Sequence, residues 1–341
     1  MLYDLAQHLI NAVAAGTIYA LVALGYTMVY GVLKLINFAH GDVMMVGVYV
    51  GYAVAFLLGK EFASSFVGFM AVFLIAMTAC AILGFLIERF AYRPLREKSR
   101  LTALITAIGI SFALSYGFQL DATVTKVRDE VTQEAHYSLS STPCATGDSA
   151  CVTLLPGAAA RRFPTIIESV EWVNIASADG VNEVRLLNWQ VMSFLIAVGL
   201  MVALQVLVFR TKFGKAMRAV SHDHRTAALL GIPVDTVIAG TFMLGSALAA
   251  GAGILYAIKD KQIQPLMGMY VGLKAFVAAV IGGIGNLKGA VTGALLLGLC
   301  EEGVVWFGSS SWRDAVAFGF LIIVLLFRPE GLFGRHVAEK V

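Results

Sequence analysis

The chain has 341 residues, 59% of them hydrophobic and only 14% charged, with a mean hydropathy of +0.80. A soluble domain of this size has no way to hide that much apolar surface, so lipid is the solvent for much of the chain. A soluble globular protein is thereby excluded and no nucleic-acid partner is expected, whereas the net charge of +3 decides little, because the distribution of charge over the loops matters more than its sum.

Nine apolar segments are expected as spans: 9–33, 36–58, 63–87, 102–120, 189–209, 234–258, 270–285, 290–307 and 313–328. Most reach the roughly 20 residues that a helix needs to cross a bilayer. The first begins too close to the start for a basic leader region, and no small-residue cleavage site follows it. It reads as a retained helix. The second opens on the run from Leu35 through Met45, which sets Asn37, His40 and Asp42 among apolar residues. Ionisable groups at membrane depth are costly unless they face a cavity, a protein element or an interface, so they are candidate functional residues. Gly41 lets the backbone bend there, and an Asp in a first turn suits the positive end of a helix dipole. Two readings stand together, capping of a helix start and a role for Asn37, His40, Gly41 and Asp42 in an inner gate.

The loop 89–100 holds Arg89, Arg93, Arg96, Lys98 and Arg100 against Glu97 alone, and the loop 210–233 holds Arg210, Lys212, Lys215, Arg218 and Arg225 against Asp223. Short loops rich in Lys and Arg stay cytoplasmic. Alternation from these anchors predicts residues 121–188 outside, the N-terminus outside and the C-terminus in the cytoplasm. Three regions result: membrane helices over 1–120, an external loop over 121–188, and membrane helices with a cytoplasmic segment (210–233) over 189–341. The external loop has nine acidic residues against five basic ones. It also holds Cys144 and Cys151, close enough in sequence to close a small disulfide ring on an oxidising side; two free thiols are the alternative.

Farther on, the segment 270–285 is short and carries Gly272, Gly282, Gly283 and Gly285, which predicts a broken or re-entrant span. Lys274 lies near the outer end of this span, and Glu301 and Glu302 lie at similar depth in the next. Either these charges pair, or Lys274 snorkels to the interface. The pairs Gly47/Gly51 and Gly289/Gly293 have the spacing of close helix contacts, which chance would also produce among 34 glycines. The expected fold is therefore an all-α polytopic membrane protein of about eight or nine spans, some short or broken, with one long external loop.

No catalytic constellation stands out, and no cofactor or metal is expected. Ser221 through Arg225 resembles a metal cluster at first sight, but the loop is basic and His222 and His224 lack further ligands. No GxxxxGK[ST] phosphate loop occurs, so if ATP drives this protein another chain binds it.

Five motifs in order carry a family resemblance: Thr17–Gly25, Leu35–Asp42, Arg218–Ile232, the glycine-rich Val280–Asn286 with Gly289–Val291, and Arg328–Gly334. Together they resemble the permease subunits of bacterial branched-chain amino-acid ABC importers, of the LivH type. The resemblance implies a multi-pass subunit of the plasma (inner) membrane that carries branched-chain or other apolar amino acids. It implies a second related permease of the LivM type, two cytoplasmic ATPases and a soluble substrate-binding protein as partners. It also favours residues 217–232 as a short amphipathic helix contacting the ATPase, with Leu229 and Leu230 as anchors, Asp223 and Arg225 as a polar rim, and Gly231 as its stop. His222, His224 and the long external loop depart from the family pattern. Close relatives carry urea or short amides. A second class, an ion-coupled transporter or channel using His40 and Asp42 as a proton relay, is the alternative without the resemblance. Neighbouring genes for ATPases and a secreted binding protein discriminate the two.

Overall fold

The computed structural model describes residues 2–96, 98–128, 135–140, 151–176, 183–308 and 310–334. Its helices, in chain order, are α1 (Leu2–Leu33), α2 (His40–Leu58), the short α3 (Lys60–Ala63), α4 (Phe66–Ile87), α5 (Arg100–Gly117) and α6 (Asn188–Arg210). They continue with α7 (Lys212–His222), α8 (His224–Leu229), α9 (Val234–Asp260), α10 (Met267–Gly282), α11 (Leu287–Trp306) and α12 (Arg313–Phe327). Each expected apolar segment corresponds to one of α1, α2, α4, α5, α6 and α9–α12. Among the described residues seven helical stretches are long and apolar enough to cross a membrane, and α5 and α10 are shorter apolar helices.

The helices α1 and α9 form the axis of the bundle. A helix apolar all round must be buried all round, and Ile18 through Leu24 of α1 are almost fully covered. On α9 the run Ala249, Ala250, Gly251, Ala252 and Gly253 has no bulk, which lets neighbours approach. The Gly47/Gly51 pair of α2 packs on Ala250 and Ile254 of α9, and Gly289/Gly293 of α11 packs on the Gly282 and Ala278 carbonyls of α10. The outer helices α4, α5, α6 and α12 instead expose large side chains such as Phe66, Ile105, Leu195 and Leu326, as lipid-facing surfaces do.

One end of the bundle gathers the start of α1 and the strands. Among the described residues β1 (Asp121–Arg128), β2 (Ala135–Ser140) and β3 (Cys151–Pro156) form an antiparallel sheet of order β2-β1-β3. The two-residue β4 (Arg161–Arg162) pairs with β7 (Gln262–Ile263) between α9 and α10, and β5 (Glu171–Ala176) pairs with β6 (Glu183–Leu187). The Arg185 amide donates to Gln7 Oε1 at 2.7 Å, and Gln190 Nε2 donates to Asn11 Oδ1 at 3.0 Å, fixing this layer to α1. The opposite end carries the basic loops, α7, α8 and the final strap, whose Leu332 amide donates to the Ile281 carbonyl at 2.8 Å.

Four expectations need correcting. The segment 121–188 is not a plain loop: the β-branched run Thr123, Val124, Thr125 and Val127 is a strand pattern. The tenth helix is unbroken, because Gly272 lies inside it while Gly283 and Gly285, with φ of +99° and +94°, follow its end. Residues 217–232 form parts of two helices rather than one. The first helix starts at Leu2, seven residues earlier than its apolar run suggests. The Cys144 member of the disulfide expectation lies outside the described residues, and Cys151 begins β3, opposite Thr125.

Candidate functional site

Between α1 and α2 the chain leaves helical form inside the protein. Lys34 takes a left-handed conformation (φ +57°), and residues 34–39 connect α1 to α2 in non-helical form, from the exposed Lys34 to the buried His40. Non-helical backbone is tolerated at membrane depth only where protein or water covers it, and here Asn37, Ala39 and His40 are buried. Asn37 closes the bend by accepting the Ala39 amide at 3.1 Å and the Tyr92 hydroxyl at 2.9 Å. The His40 ring lies edge-on to Tyr26 with centroids 4.6 Å apart, and its Nε2 has no hydrogen-bond partner among the described residues. Tyr26 and Phe38 both pack on Phe276 of α10.

Asp42, 1% exposed, is held at both carboxylate oxygens: Ser111 donates at 2.5 Å and Ser115 at 2.6 Å. These serines stand one turn apart on α5, so Asp42 clamps α5 to α2. Gly41 is not the bend expected there. It lies within α2, where an added Cβ would fall 2.2 Å from the Gly268 carbonyl and 2.8 Å from the Gly272 Cα of α10. Its role is to let α2 and α10 cross backbone to backbone.

A second polar cluster lies towards the sheet end. Lys274 Nζ is 2.9 Å from Glu301 and 2.7 Å from Asp314, and the Tyr19 hydroxyl donates to Glu301 at 3.0 Å. Glu302 does not join Lys274. It faces another way and pairs with Arg313 at 2.9 Å and His8 at 3.2 Å. Each buried carboxylate thus has cationic and hydrogen-bonding partners, as burial requires.

At the basic end, α7 stops where Asp223 turns extended, and Asp223 then caps α8. Its Oδ1 accepts the Arg225 and Thr226 amides and its Oδ2 the Thr226 hydroxyl at 2.7 Å. These bonds, the Thr226 hydroxyl first, hold the Asp223 carboxyl below the usual carboxylate range. Gly231 (φ +78°) ends the hairpin before Pro233. Leu229 and Leu230 at its tip are 88% and 75% exposed, and Arg225 is exposed beside the Asp223 cap. His224 Nε2 donates to the Val32 carbonyl of α1 at 2.8 Å. Nearby, Arg96 bridges Glu88 and Asp235, and Arg93 also pairs with Asp235, tying the end of α4 to the start of α9.

A family model described as branched-chain amino acid transport system / permease component matches residues 8–325. The chain belongs to this family. It is 38% identical over 342 residues to the high-affinity branched-chain amino acid transport system permease protein BraD of Pseudomonas aeruginosa, covering 100% of this chain and 99% of the relative. It is 36% identical over 336 residues to the permease protein LivH of Escherichia coli, covering 98% and 97%. The ribose import permease protein RbsC of Bacillus subtilis is 30% identical over 129 residues, 36% of this chain and 40% of the relative. No solved structure matches the chain.

This permease component is a multi-pass membrane protein. Apart from the Lys274–Glu301 pair, sequence reasoning missed the partners that satisfy its buried charges. Ser111 and Ser115 are two hydroxyls at i, i+4 in an apolar helix, a spacing visible in the sequence that does not by itself point to a carboxylate partner. Arg313 and Asp314 were readable as a charged pair at the mouth of the last span. Tyr26 and Tyr92 carried no distinguishing signal among 11 tyrosines.

Proposed function

We propose that the chain is a translocating subunit of an ATP-driven importer of branched-chain or other apolar amino acids. The observation that carries this reading is its similarity, over nearly the whole length of both chains, to BraD and LivH. A second permease of the same family encloses the path with it, two ATPases bind at its cytoplasmic end, and a soluble binding protein delivers cargo to the sheet end. The N-terminus lies outside and the C-terminus in the cytoplasm. Segregation of the basic loops to one end of the bundle supports this orientation.

In this reading α8 seats in a groove of the ATPase, with Leu229 and Leu230 as anchors and Arg225 at the rim, since recognition of a helix depends on a few apolar side chains. Nucleotide state then biases which of two packings of the bundle is populated. The non-helical connection at residues 34–39, with Asn37, His40, Gly41 and Asp42, is the inner gate, where discontinuous helices let one bundle rock against another around a site.

The test is uptake of labelled leucine into proteoliposomes holding the chain with the permease, ATPases and binding protein encoded beside it. ATP-dependent uptake that needs the binding protein is expected. Uptake driven by a proton gradient without ATP would instead support an ion-coupled transporter. Leu229→Asp with Leu230→Asp, at normal membrane levels, should detach the ATPase or uncouple hydrolysis from uptake. Unaltered ATPase binding and uptake in that variant would remove α8 from the coupling role.

A further inference from the structure

Two adjoining cavities lie at the basic end and share lining residues. The larger, about 520 Å³, lies between the ends of α1 and α6, the α7 helix and the turn before α11, and Lys34, Arg218 and Lys288 reach into it. The smaller, about 300 Å³, is a groove between α6 and α11, walled by apolar side chains such as Met201, Val202 and Val291. Phe209, Leu287 and Lys288 line both. The Arg218 guanidinium stands over the Phe209 ring, 5.4 Å from its centroid, and so sits at the junction. No carboxylate lines either cavity, and none of the three cations forms an ion pair among the described residues. Lys34, Arg218 and Lys288 are all exposed, so three cations converge without a paired carboxylate at the mouth of an apolar groove, an arrangement complementary to an anion with an apolar tail.

We propose that the two adjoining cavities together hold one anionic phospholipid. Its headgroup phosphate lies among Lys34, Arg218 and Lys288, and an acyl chain fills the groove between α6 and α11. The outward side chains of α6 beside the groove, Leu195, Val202 and Val206, are exposed, so a lipid reaches the groove laterally from the bilayer. Basic pockets at the cytoplasmic ends of membrane helices select anionic headgroups in this way. Headgroup recognition by Arg218 draws on the planar guanidinium and its match to phosphate oxygens. Because Arg218 belongs to α7, the bound lipid braces the helix that leads into α8. Assignment of the lipid to the cytoplasmic leaflet rests on the proposed orientation; the binding itself does not.

The test is lipid retention by the purified full-length chain in neutral detergent, measured by native mass spectrometry. Phosphatidylglycerol, phosphatidylcholine with the same acyl chains, and inorganic phosphate are the probes. Phosphatidylglycerol should be retained at least about tenfold more tightly than phosphatidylcholine, and each of Lys34→Gln, Arg218→Gln and Lys288→Gln should weaken it about fivefold. Lys288→Arg should retain it. Val291→Trp fills the groove and keeps all three cations, so it should weaken both lipids. Equal retention of the two lipids overturns the proposal. So does a phosphatidylglycerol preference that survives Lys288→Gln, a side chain exposed enough to be changed without disturbing the fold. Displacement of phosphatidylglycerol by millimolar inorganic phosphate, with Val291→Trp without effect, would make the site one for a soluble anion and equally overturn the lipid assignment.

Discussion

If Asp42 clamps α5 to the bundle, removing its two donors should free that helix. In Ser111→Ala/Ser115→Ala the carboxylate keeps its burial and loses both hydroxyl partners, at 2.5 and 2.6 Å in the native structure. Hydrogen bonds to a charged group contribute about 1.5–3 kcal/mol each, so the pair amounts to about 3–6 kcal/mol. Little else offsets this, since Leu101, Ile105, Phe112 and Tyr116 of α5 face outward and its buried stripe is chiefly Ala103, Ala107 and Ser115. An opening equilibrium shifted by that energy changes about two to four powers of ten. Hydrogen exchange of the amides from 100 to 117 should accelerate accordingly, while α9 amides stay protected. A sign reversal sharpens the test. Asp42→Asn should speed exchange in the native background, yet slow it in the double alanine background, where an amide is less costly to bury unpaired than a carboxylate. Exchange in α5 within about threefold of native in the double variant would refute the clamp. Loss of uptake in Asp42→Asn without any change in α5 would then leave Asp42 to the gate alone.

Two further substitutions probe the other clusters. Lys274→Met leaves Glu301 and Asp314 without their shared cation, and breaking such a buried pair costs about 3–5 kcal/mol, read as lost thermal stability of the purified protein. Adding Glu301→Gln should recover part of it, and a double variant no better than Lys274→Met would refute the pairing. At the α8 hairpin, proposed above to contact the ATPase, Asp223→Asn keeps a side-chain acceptor for the α8 amides and should sustain ATPase stimulation, whereas Asp223→Ala frays α8 and should lower it. Because its bonds depress the Asp223 carboxyl, the cap is complete above the unfolded carboxyl value and fails only as pH falls through the still lower folded one. Stimulation should therefore not depend on this group between about pH 5 and 8, and a drop in that window that Asp223→Asn abolishes would contradict the capping role.

The spans were legible because backbone polar groups in lipid must be satisfied within the segment, which forces long apolar helices and makes hydropathy a nearly structural signal. The β segment was less legible, since residues 121–187 lie outside that constraint and Ser, Thr and Gly there suit strand and loop alike. Among charges, depth could be read by counting residues from the ends of spans, and Lys274 and Glu301 lie at matched depth. Direction could not. Adjacent positions on a helix lie about 100° apart, so Glu301 and Glu302 share a depth and face different partners, Lys274 and Arg313. Ser111 and Ser115 stayed hidden for another reason. A serine in an apolar helix ordinarily bonds its own i−4 carbonyl, and nothing local distinguishes one that reaches a carboxylate on another helix.

The first helix is what connects these separate sites. Its part towards the sheet end bears His8 and Tyr19, which hold Glu302 and Glu301. Its middle bears Tyr26, which packs on His40 and Phe276 at the non-helical connection. Its end at the basic loops offers the Val32 carbonyl to His224 of α8. A rigid helix buried on every side cannot bend to accommodate a shift at one of these points without moving the others, because close-packed interiors transmit displacement rather than absorb it. A displacement of α8 would therefore be felt at the residue 34–39 segment and at the Glu301/Glu302 cluster through one element. Coupling claims require a physical element that both sites bias, and among the described residues α1 bonds or packs directly on groups of all three sites.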